Sequence, residues 1–344
     1  MRHINIPVFI PHLGCPNQCI FCNQKYISGT VEFDESAVIE TIEKVLSTAS
    51  NEDSCEIAFF GGSFTGIDRA LMIRLLDIAQ GYVKSGKIIG IRMSTRPDYI
   101  SQEIIDILKQ YTITFVELGI QSMNDKVLAY LKRGHTAKDT VNAAKLLKRN
   151  GIDFVGQMMI GLPQSTEYDE IYCAEQICAL GAKGSRIYPT LVFRMTELEE
   201  LARKGEYIPL EIEEAVDRSA SVLKVFLDNT VSCIRIGLCD SDNLHSDDAF
   251  VAGPNSPSIG EMVKSRLHYN YILNNLKQIN TPFENKILYI NCPKGLTSQI
   301  VGHKRRNIIE LKKELGFKNI KVFENPLAED KEINLEIKEE NSCV

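Results

Sequence analysis

Three cysteines within eight residues constrain this chain more than any other feature. They stand in the run Gly14-Cys-Pro-Asn-Gln-Cys-Ile-Phe-Cys22, spaced C-x3-C-x2-C with an aromatic residue before the third. Thiolates this close on one loop can hold an iron–sulfur cluster. A cubane with Cys15, Cys19 and Cys22 as its protein ligands keeps one iron open, and an open position separates a reactive metal site from a closed structural one. Structural zinc is the competing reading. It requires a fourth ligand, which would come from His12 or a distant cysteine.

The 344 residues suffice for one large domain and a small one. No apolar run approaches the roughly 18 residues that span a membrane. The N-terminus has Arg2 and His3 but no apolar stretch or cleavage site of a signal peptide, so a cytoplasmic protein is expected. Seven further cysteines (55, 173, 178, 233, 239, 292 and 343) form no second tight group and read as small buried hydrophobes. Cys233 and Cys239, six apart, are the candidates for an auxiliary site. A net charge of −6 argues against the whole chain being a nucleic-acid binder.

Apolar, β-branched runs at Ile6–Ile10, Glu56–Phe60, Ile88–Met93, Phe115–Gly119, Phe154–Ile160 and Ser185–Leu191 alternate with helical patterns. The clearest helix follows Thr136, with Asp139 completing an N-terminal cap, Val141, Ala144 and Leu147 as its apolar stripe, and Gly151 at its end. Six β–α units predict parallel strands with helices outside, a partial (β/α)6 barrel. In barrels the chemistry sits on loops at the C-terminal ends of strands, which is where the three cysteines fall. The rhythm stops near residue 240. The expected division is a barrel over 1–240, a linker and helix over 241–285, a small α+β module over 286–325 and an acidic tail over 326–344.

The cysteine spacing resembles the signature of the radical S-adenosylmethionine (SAM) superfamily. That resemblance implies a 4Fe–4S cluster whose open iron binds SAM, and reductive cleavage of SAM to a 5′-deoxyadenosyl radical. Gly61-Gly62-Ser63 after the second strand is similar to the glycine pair that contacts the SAM amino group in that superfamily. Six blocks narrow the match: Ser94-Thr-Arg-Pro-Asp-Tyr99, Val116-Glu-Leu-Gly-Ile-Gln-Ser122, Arg133-Gly-His-Thr136, Met158-Met-Ile-Gly-Leu-Pro163, Ile187-Tyr-Pro-Thr-Leu-Val192 and Gly205-Glu-Tyr207. In this order they resemble the radical SAM domain of the Elongator catalytic-subunit family, which modifies the wobble uridine of tRNA. That family spaces its first two cysteines more widely. It also carries an acetyltransferase domain for which this chain has no room, so its acetyl-CoA chemistry does not carry over.

Several polar residues qualify for the site. Glu117 and Gln121 flank the end of the fourth strand and are candidates for the SAM ribose. Arg96 and Arg186 are cations suited to a carboxylate or phosphate, or else ion-paired. Gln157 points at cofactor or pairs with a neighbour. Tyr188 is a radical relay, a stacking surface for substrate, or a packed aromatic. His135 reads as the residue before a helix. Arg186, Tyr188 and Gln157 are the catalytic candidates, and Gly61, Gly62, Ser63, Arg96, Glu117 and Gln121 the SAM-binding ones.

From Lys294 to Lys321 eight lysines or arginines face only Glu310 and Glu314, against the sign of the whole chain. Strand, helix, turn, helix and strand over 286–323 resemble the core of a KH domain, whose GXXG loop clamps a nucleic-acid backbone. Here that loop is Gly302-His303-Lys304-Arg305, with Arg305 in place of the second glycine and Arg306 following. These five residues are the RNA-binding candidates; a solvated charged face is the plain alternative. The combined expectation is a cytoplasmic radical SAM enzyme acting on RNA, specifically tRNA, and reduced by a small protein such as flavodoxin or ferredoxin. Its rivals are a radical SAM enzyme acting on a small molecule or peptide, and a non-catalytic iron–sulfur or zinc RNA-binding protein.

Overall fold

Strand content in the first two-thirds of the chain is set by runs such as Ile-Ala-Phe-Phe and Phe-Val-Glu-Leu-Gly-Ile, apolar on both faces as parallel strands covered on both sides must be. The structure, a computed structural model, describes residues 2–10, 13–15, 18–23, 33–50, 52–238, 249–325 and 333–339. It divides into two compact units, Met1–Ala215 with Val225–Asn255, and Val216–Lys224 with Ser256–Val344.

In the first unit the order is β1 (His3–Phe9), α1 (Ala37–Leu46), β2 (Ser54–Phe60), α2 (Arg69–Lys84), β3 (Gly90–Thr95), α3 (Gln102–Leu108) and β4 (Ile113–Gln121). Then come α4 (Asp125–Tyr130), α5 (Ala137–Arg149), β5 (Phe154–Ile160), α6 (Glu167–Ala179), β6 (Gly184–Pro189) and the short β7 (Val192–Phe193). Helices α7 (Glu197–Arg203) and α8 (Ile212–Asp228), the latter with its middle Val216–Lys224 in the second unit, precede β8 (Ser232–Ile236) and β9 (Phe250–Ala252). One sheet of seven strands runs β1-β2-β3-β4-β5-β6-β8, parallel at every pairing. This is the expected half-barrel of six β/α units, extended by one strand. β8 escapes sequence reading because it is an edge strand: Ser-Cys-Ile-Arg-Ile is exposed or half-buried throughout, without the apolar run of a central strand.

Helix α5 forms as its cap predicts. Thr136 accepts from the Asp139 N–H while the Asp139 carboxylate accepts from the Thr136 N–H. The buried stripe is Thr140, Ala143, Ala144 and Leu147, so Val141 lies at its margin. Cys55, Cys173 and Cys292 are buried, in keeping with a packing role. His12, Cys239 and Cys343 lie outside the described residues, and with Cys239 the suggested auxiliary pair. Among the described residues no helix is long and apolar enough to cross a membrane.

The second unit contains α9 (Ile259–Lys277), β10 (Lys286–Cys292), α10 (Thr297–Val301), α11 (Arg306–Leu315), β11 (Asn319–Glu324) and β12 (Asn334–Glu339). β10 is central, parallel to β11 and antiparallel to β12. Its inward residues Leu288, Ile290 and Cys292 meet Ile300, Ile308 and Leu311 of the two short helices and Tyr269, Ile272 and Leu276 of α9. Helix α9, which the sequence left between modules, is thus part of this core. Asn307, 3% exposed, ties the helices together. Its Nδ2 lies 3.1 Å from the Ile300 carbonyl, 3.2 Å from that of Gln299 and 3.1 Å from that of Ser265. Gly302 permits this, since a Cβ there would meet the Asn307 side chain at 2.9 Å. Asn307→Ala removes this shared donor from the three carbonyls, and a buried group left unsatisfied costs about 1–3 kcal/mol. Urea unfolding followed through the second unit should show a loss of that size.

Candidate functional site

The cysteine loop leaves the C-terminal end of β1 and is held by backbone rather than by a core of its own. The Ser63 N–H donates to the Leu13 carbonyl at 3.0 Å. A Cβ on Gly62 would meet that oxygen at 2.0 Å, and a Cβ on Gly14 would meet the Ser63 carbonyl at 2.3 Å. Gly14 also sits at φ +71, where side chains are disfavoured. Beyond Cys15 the loop is pinned from the other side. The Ile20 N–H donates to the Leu131 carbonyl, and the Leu198 N–H to the Ile20 carbonyl. The Ile20 side chain packs with Val127, Leu131, Leu162 and Leu198.

The three thiols gather on this frame. Cys19 and Cys22 share a turn, with the Cys22 N–H donating to the Cys19 carbonyl at 3.0 Å. The Cys15 sulfur lies 3.7 Å from the Ser63 hydroxyl. Burial above all, then the neighbouring Cys19 and Cys15, push the Cys22 thiol up to about 12, with Arg133 opposing them. Among the described residues no three His, Cys, Asp or Glu side chains close around one point as ligands of a single metal ion do. A cubane takes its thiolates on different irons, so its ligands stand further apart.

Cys15 and Cys22 open onto a cavity of about 280 Å3 over the strand ends, and Gly61, Gly62, Ser63, Arg96, Gln121, Gln157, Arg186 and Tyr188 share its wall. Eight of the nine cofactor and catalytic candidates are thus brought together with the thiols. Glu117 is the exception and does not line that cavity. It is 1% exposed and absorbed by two arginines, at 3.1 Å from Arg92 Nη1 and 2.7 Å from Arg186 Nη2. Arg92 Nε in turn stands 3.0 Å from Glu56 Oε2. Glu56, Arg92, Glu117 and Arg186 form a row of alternating charge across β2, β3, β4 and β6. Its end reaches the cavity, where Arg186 Nη1 donates to the Tyr188 hydroxyl at 3.1 Å.

Three buried polar atoms on the cavity wall lack partners among the described residues: Arg96 Nη1, Gln121 Oε1 and Arg133 Nε. Arg96 is otherwise held by the Asp98 carboxylate at 2.8 and 2.9 Å and is 1% exposed. The spare donor of Arg96 and the spare acceptor of Gln121 suit a ligand carrying both a carboxylate and groups that donate, as SAM does. His135, beside Arg133 and Arg96, is buried, and burial with the Arg133 charge holds its imidazole down to about 4, so it is neutral near pH 7. Sequence reasoning missed Glu56, Arg92 and Arg133. Arg133 opens one of the six quoted blocks, but its target, Cys19, is 114 residues away.

A half-barrel with a thiol-bearing loop after its first strand and a cavity over its strand ends defines an enzyme that works through a loop-held cluster. The sequence pattern of the radical SAM superfamily matches residues 9–172, and that of the radical SAM C-terminal domain matches residues 182–269. The chain belongs to the radical SAM superfamily, enzymes that use a 4Fe–4S cluster and SAM. An uncharacterized protein of Methanocaldococcus jannaschii is 32% identical over 219 residues, covering 60% of this chain and 66% of that protein. The tRNA uridine(34) acetyltransferase of the same organism is 32% identical over 201 residues, covering 53% of this chain and 37% of its own length. The structure of Elp3 from Methanocaldococcus infernus superposes with a TM-score of 0.61 at 24% identity, over 79% of this chain and 63% of that one, a likeness of fold. The chain thus spans under two-thirds of the length of each of these relatives.

Protein purified without oxygen should carry about four irons per chain, and replacing Cys15, Cys19 and Cys22 with alanine should abolish the brown colour. Gly62→Val should also lose iron, because the new side chain displaces the Leu13 backbone. Full iron in that variant with only weaker SAM binding would instead place Gly62 against SAM alone.

Proposed function

We propose that this enzyme modifies RNA, with tRNA as the favoured substrate. The observation that carries the reading is the turn between α10 and α11, taken with the match to a tRNA uridine(34) acetyltransferase. His303, Lys304 and Arg305 are exposed there. Lys304 (φ 50) and Arg305 (φ 63) both adopt left-handed backbone, so the turn keeps a glycine-like shape although Arg305 replaces the second glycine. Arg306 is engaged by Glu310 at 2.6 Å, which leaves Lys304 and Arg305 as the better phosphate contacts. The likeness to a KH domain adds a backbone-clamping role for Gly302 and its neighbours.

Cys15, Cys19 and Cys22 are assigned to the cluster, and Gly61, Gly62, Ser63, Arg96 and Gln121 to SAM. Bound together, cluster and SAM supply a 5′-deoxyadenosyl radical through one-electron reductive cleavage. Arg96 and Gln121 orient SAM through the spare donor and acceptor already described. Glu117 holds the Arg186 guanidinium, which fixes the Tyr188 hydroxyl at the cavity wall, and Gln157 completes the substrate side. Enclosure by the apolar Phe9, Phe60 and Leu191 keeps water from the reacting atoms. A small electron donor such as flavodoxin or ferredoxin and a cytoplasmic setting complete the proposal.

Two measurements test it. Nucleosides digested from the tRNA of cells with and without the protein should differ by at least one modified species in mass spectrometry. In a salt titration, Lys304→Ala with Arg305→Ala and Arg306→Ala should weaken tRNA binding about tenfold or more. The salt slope should become shallower by roughly 1.4, at about 0.7 for each of the two phosphates contacted by Lys304 and Arg305. Identical nucleosides together with identical slopes would favour a small-molecule or peptide substrate.

A further inference from the structure

Arg133 stands out among the charged groups of the first unit. It is 9% exposed and lies on the wall of the cavity. The other buried arginines there, Arg92, Arg96 and Arg186, each face a carboxylate. Arg133 faces none among the described residues. Its Nη1 donates to the Cys19 sulfur at 3.5 Å, its Nη2 donates to the Gly119 carbonyl at 2.8 Å, and its Nε has no partner among the described residues. A buried guanidinium with only neutral acceptors is strongly unfavourable, so such a group calls for an anion.

A second observation points the same way. Gly119 lies inside β4, where glycine normally weakens a strand. A Cβ there would meet Arg133 Nη2 at 2.6 Å. The missing side chain makes the channel through which the guanidinium reaches the loop. The backbone leading to it is docked as well, since Leu131 accepts from the Ile20 N–H.

We infer that Arg133 is the counter-cation of the cysteine loop, a positioning residue that holds the Cys19 sulfur and makes the bound cluster easier to reduce. The inference rests on Cys15, Cys19 and Cys22 being the cluster ligands. Deprotonated and metal-bound, those sulfurs carry the negative charge that Arg133 lacks. A one-electron reduction adds negative charge beside a fixed cation, in a buried place where screening is weak. Hydrogen bonds to the sulfurs, net charge and exposure are the recognised determinants of such potentials. Arg133 supplies a hydrogen bond and a charge together, in a setting that excludes solvent.

The test is a redox titration of the full chain without SAM, followed by electron paramagnetic resonance of the reduced cluster, with iron measured on the same samples. Arg133→Gln should keep iron but reduce at a more negative potential, its one-electron equilibrium less favourable by about tenfold, or about 59 mV. Arg133→Lys should recover at least half of that shift. Gly119→Ala, which keeps the charge but displaces it, should shift in the same direction as Arg133→Gln. Wild-type potential in iron-loaded Arg133→Gln would overturn the inference. If Arg133→Gln binds no iron, Arg133→Lys decides: a cluster near wild-type potential supports the role of charge, and loss of the cluster or a large shift refutes it. A Cys19→Ala protein that retains a full cluster would show that the ligand assignment itself is at fault.

Discussion

Everything at this site depends on backbone meeting backbone where Gly14 and Gly62 cross. A loop carrying three thiols and little apolar surface cannot fold on hydrophobic burial alone. It borrows rigidity from the turn after β2, and that loan requires two chains to approach more closely than any Cβ allows. Ile20 provides an apolar anchor, inserted among side chains of α4 and α7. The glycine pair therefore has a structural duty toward the thiols in addition to its place on the cavity wall.

The interior of the half-barrel is polar where an ordinary barrel is filled with branched aliphatics. Glu56, Arg92, Glu117 and Arg186 are each under a tenth exposed, yet their charges sum to zero and each meets an opposite charge, Arg186 reaching past β5 to Glu117 on β4. Such a row is tolerable because every charge is paired, and its main service is to fix geometry rather than to add stability. Arg186 cannot swing freely when Glu117 holds one nitrogen and Tyr188 accepts from another. Arg96 and Gln121 bring buried atoms without partners among the described residues to the cavity wall, where a ligand would be received.

What the sequence revealed follows from distance along the chain. The C-x3-C-x2-C run, the Thr136 cap with Asp139, and the apolar runs of β2, β4 and β5 are local patterns, and the half-barrel follows from their alternation. The second unit's strands and helices were equally local, because each turn carries its own glycine or proline punctuation. Contacts between distant segments were not legible. Glu117 sits at a strand end in sequence, but its partners on β3 and β6 draw it beneath the cavity. Gly62 looks like half of a ligand-binding pair until Leu13 is seen against it. Arg133 carries no local sign of its proximity to Cys19, and β8 lacks the double-sided burial that marks its neighbours.

The charged row has a consequence for how this chain can change over generations. Replacing an inner member, Arg92 or Glu117, takes from an end member its opposite charge in the row, and reversing any two adjacent members sets like charges side by side, so only a reversal of all four keeps the alternation. These positions on four strands therefore drift in concert or not at all, and a homologue with a reversed charge at an inner one should differ along the whole row.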